Sequence, residues 1–265
     1  MLELRSDPLR YAWLQATTIA ENVRETLKQA WRDQSYDLQF KDSKVYFDTQ
    51  KTLPSKEKLN PSPEEHLPRL NRVLERIPTE YGTVVFYSKQ NDEENMYAGF
   101  ISKTEQVYDL VPVSSLLVWE LSSAEIVKLL NQSIPFLRIQ GAYGSNTIRT
   151  YYYRMDREYP QLLLEVDGTI HEVDIDNDQD KEIISVWGIP SITKIHTWEE
   201  NRFQEANVTL NLKAESVMPV EREGQVLFDA YREPPQAADG QRPEGTTATT
   251  PTTYKYENGK MVPVS

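Results

Sequence analysis

Gln161-Leu162-Leu163-Leu164-Glu165-Val166-Asp167-Gly168-Thr169-Ile170-His171-Glu172-Val173, continued beyond an acidic stretch by Glu182-Ile183-Ile184-Ser185-Val186-Trp187, is the passage on which the fold turns. Its short apolar and β-branched runs, bounded by turn residues, read as strands. Asp167-Gly168 reads as a tight hairpin, because glycine takes a positive φ cheaply. Working outward, the same signature predicts strands at Phe136–Gln140, Thr147–Arg154, Thr193–Trp198, Arg202–Leu210, Gln225–Tyr231, Thr253–Tyr256 and Lys260–Val264. Asn258-Gly259 marks a second hairpin. His196-Thr197-Trp198-Glu199-Glu200-Asn201-Arg202-Phe203 echoes Tyr254-Lys255-Tyr256-Glu257-Asn258-Gly259-Lys260-Met261, which suggests one hairpin type used twice. Residues Glu233–Thr252 offer little to bury, and read as a flexible excursion between two strands.

The N-terminal half reads differently. Asp7 and Pro8 open a predicted helix with one apolar face from Leu9 through Trp13, Ala20 and Leu27 to Ala30. A short strand is expected at Lys44–Asp48. Ser62, Pro63 and Glu65 form a capping-box pattern ahead of Leu67, Leu70, Val73, Leu74 and Ile77, so a second helix is expected up to Pro78. Strands at Thr83–Tyr87, Met96–Ile101 and Gln106–Val111 follow. Ser122 and Glu125 predict a third helix, carrying Ile126, Leu129 and Leu130 and closed by Pro135. The expected fold class is α+β. An N-terminal domain over 1–132 combines helices with a small antiparallel sheet. A β-rich domain over 133–265 forms a partial propeller or blade-like sheet.

Composition narrows the function. A net charge of −12 over 265 residues disfavours nucleic acid, whose phosphates demand basic patches. Fifteen tyrosines against seven phenylalanines suit half-wet sheet positions. Without cysteine there is no disulfide, thiol nucleophile or cysteine-bound zinc. That absence fits a bacterial cell-surface protein and a cytoplasmic one alike. No apolar run is long enough to span a membrane. Met1-Leu2-Glu3-Leu4-Arg5 does not read as a signal peptide, so an exported form implies a leader already removed.

The strongest chemical signal is Asp174-Ile175-Asp176-Asn177-Asp178-Gln179-Asp180-Lys181-Glu182, with an acid at every second position. Carboxylates packed this densely repel one another unless a cation gathers them, and calcium takes six to eight oxygens in a flexible shell. Asp174, Asp176 and Asp178 would offer side chains, Asp180 its carbonyl, and Glu182 a closing carboxylate. Without a cation, the same residues form a solvated acidic turn. An EF-hand does not fit, since its glycine and closing glutamate positions hold Gln179 and Ser185, and a strand follows.

The loop resembles the calcium loop of FG-GAP/VCBS propeller-type repeats, D-x-[DN]-x-D-G-x-x-[DE] ahead of an apolar strand. Asp174, Asp176, Asp178 and Glu182 match its ligand positions, and Gln179 stands where the family has glycine. The likeness spans about Gln161–Leu210 and implies a calcium that ties two strands together. The C-terminal stretch is also similar to uncharacterised surface proteins and lipoproteins of Gram-positive bacteria.

Other chemistry is thinner. His66 is expected on an exposed helical turn. His171 and His196 sit in strands near the acidic loop, either as a catalytic or metal pair or as exposed strand histidines. Tyr151-Tyr152-Tyr153, Trp119, Trp187 and Trp198 could stack sugars or fill a core. No G-x-S-x-G, H-E-x-x-H or phosphate-loop signature occurs. The expected function is therefore a non-enzymatic, calcium-stabilised binding or structural module at a bacterial surface, with a protein or glycan partner. The alternative is a glycan hydrolase using paired carboxylates near Trp187 and Trp198.

Overall fold

Strand follows strand through short polar turns along nearly the whole chain. The computed structural model describes residues 34–45, 50–51, 62–130, 134–143, 147–232 and 250–264. Three short strands come first, β1 (Tyr36–Asp37), β2 (Lys41–Asp42) and β3 (Gln50–Lys51). Four antiparallel sheets then form in chain order. The first holds β4 (Leu70–Pro78), β5 (Gly82–Lys89), β6 (Asn95–Ser102) and β7 (Val107–Ser115). The second holds β8 (Ser123–Lys128), β9 (Pro135–Ala142), β10 (Ile148–Arg154) and β11 (Gln161–Asp167). The third holds β12 (Thr169–Val173), β13 (Glu182–Trp187), β14 (Ile192–Glu199) and β15 (Arg202–Asn207). A short helix α1 (Val208–Asn211) leads to the fourth, of β16 (Ser216–Arg222), β17 (Gln225–Tyr231), β18 (Thr252–Glu257) and β19 (Lys260–Pro263).

Each sheet packs on the next through a shared apolar layer. Phe86, Phe100, Val113, Leu137, Tyr151 and Tyr153 fill the layer between the first and second sheets. Phe136, Tyr152, Leu164, Ile183 and Phe203 fill the one between second and third. Ile184, Ile195, Val217, Phe228, Tyr254 and Met261 fill the one between third and fourth. Successive side chains on a strand point to opposite faces. Hence Tyr151 and Tyr153 enter one layer and Tyr152 the other, and Ile183 and Ile184 divide likewise. The tyrosine run is core.

The three short strands run against this order. β1 pairs with β19 in the fourth sheet, β2 with β15 in the third, and β3 with β7 in the first. The segment that carries them is a strap lying back along the stack. Asp42 accepts from Arg202 at 2.8 Å, and Leu38 N donates to Gly259 O at 2.9 Å.

The expected α+β class is overturned. Among the described residues the helical elements are two 3-10 turns and the four-residue α1, and no sheet closes into a barrel or propeller. The predicted helix over 7–30 lies outside the described residues. The predicted second helix is a single 3-10 turn, Pro63–His66, followed by strand β4, and the Ser62 side chain caps nothing. The error has a physical source. β4 carries register shifts at Leu70/Arg72 and Val73/Glu75. Such bulges break the two-residue alternation. Leu70 and Val73 therefore face the outer side of the sheet while Leu74 and Ile77 face the inner layer, which mimics helical spacing. The predicted third helix is β8, paired with β9 over Ser123–Lys128, and Ser122 Oγ is buried without a hydrogen bond among the described residues. Lys44 and Val45 are not in a strand, and residues 46–48 lie outside the described set.

Every predicted strand from Phe136 onward is present, although α1 replaces the end of Arg202–Leu210, and β16 was not foreseen. Asn258-Gly259 and Glu200-Asn201 both adopt paired positive φ angles, so the echoed hairpins share a turn type, which Glu223-Gly224 repeats. Asp167-Gly168 is no hairpin. It carries the chain from the second sheet to the third, with Gly168 at φ 98° and no room for a Cβ beside Val186 O. Most of the expected excursion, 233–249, lies outside the described residues.

Candidate functional site

The acidic stretch joins β12 to β13, whose ends Val173 and Glu182 are paired. Its backbone folds through positive φ at Asn177 (65°) and Gln179 (77°), so Gln179 takes the conformation expected of glycine. Carboxylates hold that shape by accepting backbone N–H bonds. Asp174 accepts from Asp178 N at 3.2 Å and from Gln179 N at 3.0 Å, and Asp178 accepts from Asp180 N at 2.8 Å. Ile175 turns into the core, and its N–H donates to Glu182 Oε2 at 3.0 Å.

Three of the five expected ligands come together. Asp174, Asp176 and Glu182 each place a carboxylate oxygen within 4.8 Å of the others. Oxygens on one calcium stand 2.3–2.6 Å from it, so they fall about 5 Å or less apart, and these three can share an ion. The Asp178 carboxylate lies outside this cluster, and the ligand expected of Asp180 is its backbone carbonyl rather than its side chain. Asp176 Oδ1 is shielded from solvent without a hydrogen-bond partner among the described residues. Burial, with Asp176 and Asp178 nearby, pushes the Glu182 carboxyl up to about 7. Burial followed by Asp178 and Asp174 also raises Asp176. Tyr256 of the fourth sheet rises to about 12 through burial and these same acids. The pocket has negative potential that a cation would relieve.

A second site was not visible in the sequence. The layer between second and third sheets is apolar where Trp198 meets Phe136 and Phe203, with ring centroids 5.7 and 5.0 Å away. Toward the other end it opens into a cleft of about 300 Å³. One wall is β11, with Glu165 and Asp167. The other is the inner face of the third sheet, with Ser185, Trp187, Lys194, His196 and Glu205. Lys41 and Lys44 reach in from the strap. Glu205 is held between Lys41 (3.2 Å) and Lys194 (3.1 Å), and its carboxyl is lowered despite burial. Arg149 holds Asp167 at 2.6 Å and Glu165 at 3.2 Å. His196 is 2% exposed rather than solvated. Its Nε2 lies 3.2 Å from Ser185 Oγ, and Nδ1 has no partner among the described residues. Burial pushes its pKa down to about 4, which keeps the ring neutral. Of the two readings of His171 and His196, the pair does not occur: register aligns His171 with Ile184 and Ile195, on the face opposite His196.

The Ser185–His196 contact does not make a nucleophilic pair. Ser185 is 1% exposed, and a histidine with so low a pKa is a poor base at neutral pH. The only signal for this cleft in the sequence is polar residues at the inward positions of β13, β14 and β15.

No protein-family model, curated protein or solved structure matches this chain. Among the described residues no helix is long and apolar enough to cross a membrane.

Proposed function

We propose that the chain is a non-enzymatic binding module whose β12–β13 loop takes one calcium ion, and that it works at a bacterial cell surface. The observation that carries this reading is the convergence of Asp174, Asp176 and Glu182 within 4.8 Å, one of them buried in the sheet. The ion would complete its shell with carbonyls and water and neutralise carboxylates that otherwise repel. A site with three carboxylates on a hydrogen-bonded loop suits the weak calcium affinities of extracellular modules, where the free ion is abundant. The cleft supports binding over hydrolysis. Its carboxylates are each paired with a cation.

Binding to the native state alone stabilises it by about 2.7 kcal/mol at a hundredfold excess over the dissociation constant. Melting temperature is expected to rise with calcium and fall with chelator, with magnesium a poor substitute. Asp176→Ala removes that difference while leaving the fold intact. A melting curve indifferent to millimolar calcium overturns the reading.

A further inference from the structure

The cleft between the second and third sheets has a charge balance and a lining that specify a ligand. Three cations line it, Lys41, Lys44 and Lys194, against the carboxylates of Glu165, Asp167 and Glu205, and Arg149 pairs with Glu165 and Asp167 from outside the lining. The lining is thus balanced in charge, in a protein whose net charge is −12. Lys44 makes no ion pair among the described residues, so its ammonium is the donor left over. A single unpaired ammonium favours a monoanion over a doubly charged phosphate. At the rim, Trp187 is 46% exposed, which leaves part of its indole open to a ring that could stack on it. Deeper in, His196 Nδ1 is buried without a hydrogen bond among the described residues, and a ligand hydroxyl that displaced the atoms covering it would satisfy it. About 300 Å³ is the small end of ligand cavities.

We propose that this cleft binds an acidic sugar residue of the hexuronate type, its carboxylate on Lys44 and Lys194, its ring face on Trp187 and a hydroxyl on His196 Nδ1. A hexuronate joins the three properties the lining asks for. It has one negative charge, a ring face with apolar C–H groups, and hydroxyls that both donate and accept beside Asp167 and Glu205. The strap is part of the site, because Lys41 and Lys44 lie on it. The inference rests on the module reading only in that the cleft binds rather than reacts, and it is independent of the calcium loop.

Titration calorimetry of the full chain with glucuronate, galacturonate, glucose and benzoate tests it, in calcium and in chelator. The uronates are expected to bind, with glucose at least about tenfold weaker and benzoate weaker than either uronate. Affinity should fall with salt, as for any partly exposed ion contact. Lys44→Ala and Trp187→Ala should each cost about tenfold at unchanged melting temperature, since both side chains are exposed. No uronate binding at millimolar concentration overturns the proposal. So does glucose binding as well as glucuronate, which removes the role of the charge, or benzoate binding as tightly, which removes that of the hydroxyls. Uronate binding that survives in chelator separates this site from the calcium loop, whose own failure would leave the titration unchanged.

Discussion

The two layers that flank the second sheet are built alike and end differently. Between first and second sheets, Phe86, Phe100, Tyr151 and Tyr153 are packed among aliphatic neighbours, and the sheets close until Gly141 touches the next backbone: a Cβ there would stand 2.0 Å from Val113 O. Between second and third sheets, the aromatic packing of Phe136, Trp198 and Phe203 stops partway, and Ser185, Lys194, His196 and Glu205 take the inward positions. Topology and strand lengths are similar. The difference lies in side chains at a few inward positions, so in this architecture a site is opened by leaving a layer unfilled.

The largest expected effects test whether the apolar parts are equivalent. Phe86→Ala in the first layer and Phe136→Ala in the second, both 0% exposed, should each cost about 3–5 kcal/mol in denaturant unfolding. A much smaller loss for Phe136→Ala would show the second layer to be loosely packed throughout. Next comes the buried imidazole. The unfolded chain takes up a proton near pH 6.5, whereas folded His196 does so only near 4. Stability is therefore full above pH 7 and falls as pH drops from 6.5 toward 4, by about 3 kcal/mol in the limit. Glu205 draws the proton on, Lys194 opposes it, and Lys41, Lys44, Glu165 and Asp167 line the same cleft from the strap and from β11. His196→Gln should flatten this part of the pH profile; an unchanged slope places the loss elsewhere. Gly141→Ala should cost about 1–3 kcal/mol by forcing the first two sheets apart, read as a lower urea midpoint. Smallest of all, Arg202→Ala removes an exposed contact to Asp42 and should shift stability by less than about 0.5 kcal/mol.

The same contrast explains what could be read from the chain. Strands that are short aromatic or β-branched runs, such as β10 and β13, announce themselves, as do turns whose residues demand positive φ, such as Asn258-Gly259. β4 misleads because its bulges distribute Leu70, Val73, Leu74 and Ile77 over two faces at helical intervals. β8 misleads because Ser122 and Glu125 imitate a cap that tertiary pairing overrides. Asp167-Gly168 is a true turn signal with an unexpected use, since local chemistry fixes a corner and not which strands it joins. The acidic loop was legible because its residues are contiguous. The cleft was not, because it draws on β11, three strands of the next sheet and the strap, and only pairing register brings them together.

The strap sets a timetable. The four sheets can assemble one after another as the chain emerges from the ribosome, each needing only its predecessor. β1, however, pairs with β19, the last of the described strands. This closure spans most of the polypeptide, and contacts between distant residues form slowly. β2, in contrast, waits only for β15, beside which Lys41 reaches Glu205, so the cleft can gain its lysines while the β1 end of the strap still lacks its seat. A chain cut after β15 would thus keep the lining of the cleft and lose the fourth sheet together with the partner of β1.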